Sequence, residues 1–137
     1  MSVEAEHEDL GRKHQLHGVQ PVLPVEDVAA SARFFCDQLG FEIDFLEGDP
    51  PVHGRVMQGD GSYGSPIYIH LSKASGQEVR PSAELRIHVG RDLDGLFEAY
   101  QTLGVEVVFG PVSRPWGLRE FAVRELNGHV LRFCGQG

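Results

Sequence analysis

Polar residues recur at every second position along four strand-like stretches of this sequence, and their types could do chemistry. Glu84, Arg86 and His88 alternate with Leu85, Ile87 and Val89; Tyr68 and His70 alternate with Ile67, Ile69 and Leu71; Arg132 stands between Leu131 and Phe133; Gln20 precedes Pro21, Leu23 and Val25. Successive strand residues point to opposite faces, so each apolar set suits a covered face and each polar set the other. Imidazoles move protons near neutrality, while a guanidinium is a permanent cation with donors only. A polar sheet face is ordinarily just solvated. Here the polar groups are interspersed with Tyr68, Val22, Val130 and Trp116, a mixture that favours a concave ligand pocket.

The elements that position these residues come in two copies. Shifting the chain so that Val25 falls on Val89 also lays Leu39 on Leu103, Gly40 on Gly104, Glu42 on Glu106 and Phe45 on Phe109, without a gap. Val28, Ala32, Phe35 and Leu39 follow a helical rhythm, as do Leu93, Leu96, Tyr100 and Leu103, so each copy predicts a helix with one apolar stripe over a sheet. Asp27 and Asp92 suit helix starts, and Gly40 and Gly104 suit the left-handed position after a helix end. Strands are predicted at residues 41–46, 54–57 and 67–71, then 105–109, 120–124 and 129–133. Each half therefore reads βαβββ, an α+β chain of two tandem modules forming curved mixed sheets with the helices on the outer face.

Asn127-Gly128 signals a two-residue hairpin. The Gly-, Pro- and Ser-containing stretches 47–52, 59–65 and 111–117 read as loops, and 73–82 as the connection between halves. Residues 1–15 have no counterpart in the repeat and are expected as an N-terminal arm; residues 16–137 form one domain, with modules at 16–75 and 81–137.

The totals exclude several classes. A 137-residue chain with 41% apolar content supports one core, and a net charge of -8 offers no footprint for nucleic acid or an anionic membrane. Nothing in it reads as a membrane span or a secretory leader, so a cytoplasmic location is expected. Cys36 and Cys134 are too few for a disulfide framework and read as packing thiols. His7, His14, His17, His53 and His129 read as tail, loop or hairpin residues.

The paired modules, the opening PVLPVEDVAASARFFCDQLGF and the closing PWGLREFAVRELNGHVLRF resemble the vicinal oxygen chelate superfamily, which includes glyoxalase I, extradiol dioxygenases, fosfomycin-resistance enzymes and bleomycin-resistance proteins. The proline-rich first strand and the Trp-Gly before the last hairpin are most similar to the bleomycin-resistance subgroup, which binds its drug without metal or chemistry. This resemblance implies a U-shaped sheet from each module, a homodimer, and small-molecule ligands in crevices between subunits. It places the metal-ligand positions of the enzymes at Gln20, His70, Glu84 and Arg132. The first three can donate, but Arg132 cannot. At about 4 Å and an effective dielectric near 20, unit charges interact by roughly 4 kcal/mol, and a divalent ion doubles the repulsion.

A metal-free binding protein acting by sequestration is therefore expected. Gln20, Tyr68, His70, Glu84, Arg86, His88, Trp116, Phe121 and Arg132 would bind ligand, the aromatic rings by stacking and the charged groups by fixing polar atoms. A plain Arg132–Glu84 pair on the sheet is the competing role for that arginine. The alternative function is a glyoxalase-like lyase, isomerase or dioxygenase with Zn, Ni, Mn or Fe on Gln20, His70, Glu84 and His88. His88 lies four residues, about 13 Å, along the strand from Glu84, which strains joint coordination. A third reading is a metal-free enzyme with His70 or His88 as general base and Arg132 stabilising an enolate.

Overall fold

The computed structural model describes residues 13–14, 17–62, 64–75 and 83–136. The expected N-terminal arm, apart from Lys13 and His14, and residues 76–82 of the expected connection lie outside the described residues. The first module runs β1 (Val22–Val25), α1 (Val28–Leu39), β2 (Glu42–Gly48), β3 (Pro51–Gln58) and β4 (Ile67–Lys73). The second runs β5 (Glu84–His88), α2 (Leu93–Thr102), β6 (Glu106–Ser113), β7 (Leu118–Arg124) and β8 (Val130–Gln136). Their sheets are ordered β1-β4-β3-β2 and β5-β8-β7-β6. In each, only the first strand is parallel to its neighbour. The chain is thus α+β, two mixed sheets with one helix each, as the repeat predicts.

Local chemistry sets the helix ends. Asp27 Oδ1 accepts from the Ala30 amide at 3.0 Å, and Asp92 Oδ1 accepts from the Gly95 amide at 3.2 Å. Gly40 and Gly104 take φ of 77° and 79°, where a Cβ would be strained. Val28, Ala32, Phe35 and Leu39 bury one stripe of α1 over its sheet. On α2, Leu93 and Tyr100 are buried, whereas Leu103 is half exposed because it is the C-cap and has left the stripe.

The strands outrun their predicted limits. Asp49 and Pro50 alone turn β2 into β3, so most of stretch 47–52 is strand rather than loop. Likewise Pro111–Ser113 belong to β6, where the register with β7 is irregular between Phe109 and Val112 and a missing N–H is tolerated. The hairpin is also corrected. Only Gly128 is left-handed (φ 89°), the Glu125 amide donates to His129 O at 2.9 Å, and Leu126, Asn127 and Gly128 make a three-residue loop.

That loop ties the modules together. Asn127 Oδ1 accepts from the Glu26 amide at 3.0 Å, its Nδ2 donates to Ser31 Oγ at 2.9 Å, and His129 Nε2 donates to Pro24 O at 2.7 Å. Glu125, itself buried, orders the loop by accepting from the amides of Asn127 and His129. At the other end, the Tyr100 hydroxyl donates to Leu39 O at 3.0 Å, and burial pushes its phenol well above the ordinary value. One apolar core runs through both modules around these ties.

Candidate functional site

On the face of each sheet away from its helix, four side chains form a hydrogen-bonded or charged chain, and the two chains occupy equivalent places. In the first module, Gln20 Oε1 lies 2.6 Å from His70 Nε2, His70 Nδ1 lies 2.9 Å from His53 Nε2, and His53 Nδ1 lies 3.2 Å from Glu47 Oε2. In the second, Glu84 Oε1 lies 2.9 Å from Arg132 Nε, Arg132 Nη1 donates to Glu120 Oε1 at 3.5 Å, and Arg114 Nε donates to the same oxygen at 2.8 Å. Strand register explains the match. Val22 pairs with His70 as Arg86 pairs with Arg132, and His53 pairs with Ser72 as Glu120 pairs with Cys134. A phenylalanine from the repeated positions accompanies each chain: Phe45 meets His53 and His70 edge-on, and Phe109 lies within 5.6 Å of both guanidinium centres.

Proton counting constrains the first chain. The imidazole planes differ by 5° and their centroids are 5.1 Å apart, which with a 2.9 Å N···N contact means rings joined edge to edge rather than stacked. Glu47 can only accept, and Gln20 Oε1 also faces Arg55 Nη1 at 3.5 Å, so it accepts as well. Three contacts bounded by acceptors need three ring N–H groups, one more than two neutral imidazoles carry. With both rings neutral, one of the three contacts goes without a proton. Burial first, then the His53 and Arg55 charges, pull His70 below its ordinary 6.5, so the site disfavours charge on this ring.

A stability prediction follows. Below about pH 6.5 the unfolded chain takes up a proton at this residue more readily than the folded chain does, so stability falls as the pH falls through that value and is fully present above it. Thermal midpoints measured from about pH 5 to 8 should show this decline in the wild type and a shallower one in His70→Gln.

In the second chain the Arg114 hydrogen bond, helped by the Arg132 charge, holds Glu120 below the ordinary carboxylate value although burial pushes the other way. The Glu84–Arg132 contact is one of charge alone: the buried Nε–H is not directed at an acceptor despite the 2.9 Å separation. Cys134 Sγ lies 3.6 Å from Glu120 Oε2, and burial with that carboxylate raises its pKa. Burial also raises Cys36, so neither thiol is primed for nucleophilic attack.

The expected ligand residues are dispersed. Gln20 and His70 meet, Glu84 and Arg132 meet, and Tyr68 lies 4.2 Å beneath the Arg55 guanidinium. A groove of about 1650 Å³ is walled by residues 17–21 ahead of β1, the β3–β4 loop with the start of β4, and β5; Gln20, Tyr68, Glu84, Arg86 and His88 line it, but His70, Trp116, Phe121 and Arg132 do not. Trp116 is 69% exposed at the β6–β7 turn. Phe121 is a correction: its ring is fully buried on the helix side, 5.0 Å from Phe133 and 5.2 Å from Phe97, and cannot stack on a ligand.

The residues also do not fit a metal. His70 has both ring nitrogens engaged, and Glu84 faces a guanidinium. Among the described residues no three His, Cys, Asp or Glu side chains gather as an ion-binding group. The sequence reading missed Glu47, His53, Arg114 and Glu120, whose signal was the repeat itself combined with alternation on the second and third strands of each module. His129 is likewise no free hairpin residue but a buried tie.

Residues 16–133 match the family model described as the Glyoxalase/Bleomycin resistance protein/Dioxygenase superfamily. The bleomycin-binding protein from bleomycin-producing Streptomyces verticillus, solved with copper(II)-bleomycin, is 32% identical with a TM-score of 0.69, covering 90% of this chain and 98% of that one. TioX from Micromonospora sp. ML1 (18% identity, TM-score 0.71, 89% and 100% covered) and a glyoxalase-related enzyme from Clostridium phytofermentans (20%, 0.72, 92% and 99%) share the fold. No curated protein matches the chain. No helix among the described residues is long and apolar enough to cross a membrane.

Proposed function

Since the chain belongs to the glyoxalase/bleomycin resistance protein/dioxygenase superfamily, we propose that it binds and sequesters a small molecule in the manner of the bleomycin-resistance subgroup, without metal and without turnover. One observation carries this reading: the four side chains at the family's metal positions are joined in pairs, Gln20 to His70 at 2.6 Å and Glu84 to Arg132 at 2.9 Å, with a permanent cation as one member. An ion there would have to break both pairs and meet a guanidinium that has no electron pair to donate. The binding unit spans residues 16–137, in modules 16–75 and 81–137, and acts in the cytoplasm as a homodimer whose facing modules complete the crevices. Gln20, Tyr68, Glu84, Arg86 and His88 touch the ligand from the groove wall. Trp116, exposed at its turn and outside this groove, would stack on a ligand held by the second subunit of the homodimer.

Two measurements test the proposal. Protein purified without chelators should carry far less than one equivalent of any transition metal. Titration calorimetry with copper(II)-bleomycin and other flat polycyclic compounds should give saturable heat with at least one of them, the compound being recovered chemically unchanged. Near-stoichiometric metal that disappears in Glu84→Ala, or a ligand recovered as product, overturns it.

A further inference from the structure

We propose that Arg86 anchors an anionic group, a carboxylate, sulfonate or phosphate, on the sequestered molecule, whose apolar body lies in the groove walled by residues 17–21, the start of β4 and β5. The inference rests on the sequestration reading and gives its ligand a charge.

Subtraction carries it. Most of the charge on the faces turned away from the helices is already matched: Asp44 with Arg55, Glu47 with His53, Glu84 with Arg132, and Glu120 with Arg114. Among the described residues, the Arg86 side chain has neither a hydrogen bond nor an ion pair. It is also the register partner of Arg132 across the parallel β5–β8 pair, and the two carboxylates there, Glu84 and Glu120, both face Arg132 and not Arg86.

The groove points the same way. Its two acids are committed, Glu84 to Arg132 and Asp60 to Ser62, whose amide and hydroxyl donate at 3.0 and 2.6 Å. Those Ser62 bonds, with the Arg91 charge, hold Asp60 below its ordinary value. With Glu84 cancelled, Arg86 and Arg91 face Asp60 alone, so the groove is locally positive in a chain of net charge -8. Ile67, Ile87 and Leu96 on the walls favour an apolar body. At about 1650 Å³ the groove exceeds the roughly 300–1,000 Å³ usual for small-molecule pockets. A bare inorganic anion would remain hydrated there. An amphiphilic acid satisfies the guanidinium and removes apolar wall from water together.

Two dyes that share their rings and differ by one sulfonate, 8-anilinonaphthalene-1-sulfonate and N-phenyl-1-naphthylamine, test this by fluorescence titration of the full chain. The sulfonate is expected to bind about ten-fold more tightly, an advantage that shrinks as salt is raised. Arg86→Gln should bring the two dyes to equal affinity. Arg33→Gln, which removes the same charge from an exposed site on α1, should leave the preference intact. Thermal midpoints exclude dye binding to a loosened fold. Equal affinities on the wild type, or a sulfonate preference that survives Arg86→Gln, overturn the anion anchor while leaving the groove a binding site. Absence of binding by either dye overturns both the anchor and the groove.

Discussion

Phe121→Ala is expected to lower unfolding stability by about 3–5 kcal/mol, the usual cost of deleting a fully buried aromatic ring and leaving its cavity. The ring has no exposed surface and packs against Phe97, Tyr100 and Phe133 at centroid distances of 5.2, 6.1 and 5.0 Å. Those three neighbours come from α2 and β8, so the cavity would open between the helix and its sheet. Collapse to fill it is resisted because Tyr100 is also held through its hydroxyl to Leu39. Urea unfolding measures the loss. A variant of near wild-type stability with impaired ligand binding would show instead that the ring faces the groove.

Glu120→Ala is expected to cost about 2–3 kcal/mol. Removing one member of a fully buried ion pair costs roughly 3–5 kcal/mol, because the stranded charge keeps its desolvation penalty. Here the stranded partners, Arg114 and Arg132, keep 32% and 24% of their side-chain surface in water, which reduces that penalty. Glu120→Gln keeps the shape and should cost less. The two substitutions also separate by pH. The folded-state value of Glu120 is depressed, so its contribution is present above the ordinary carboxylate value of 4.5 and is lost as pH falls through the folded value. Acid titration of stability should therefore be steeper for the wild type than for Glu120→Gln; coincident profiles would contradict the ion-pair role.

The repeat, the helices and their caps were legible because each depends on residues a few positions apart, as with Asp27 and Gly40 around α1. Strand limits were less legible, since proline and glycine were read as breaking strands that in fact carry them at a first position, Pro51, or a register irregularity, Pro111. Phe121 was misassigned although alternation already held the answer. It pairs in register with Phe133, which had been placed beneath the helix, so the two must share a face. The charged chains needed more than alternation. Joining His53 to Glu47, or Glu120 to Arg114, requires the exact pairing of the second and third strands of each module, and that is fixed by a two-residue turn in one case and an irregular ladder in the other. The tie made by Asn127 and His129 spans about a hundred residues of separation and had no local signal.

The equivalence of the two side-chain chains has one more consequence. Gln20, His70 and His53 in one half stand where Glu84, Arg132 and Glu120 stand in the other, so a backbone nearly indifferent to being turned end for end carries unlike chemistry at its two poles. An elongated guest lying across both helix-free faces, outside the groove, would meet an imidazole-rich pole and an ionic pole. It could therefore settle head to tail in only one sense, and a duplicated scaffold would have acquired a direction through the replacement of a few side chains.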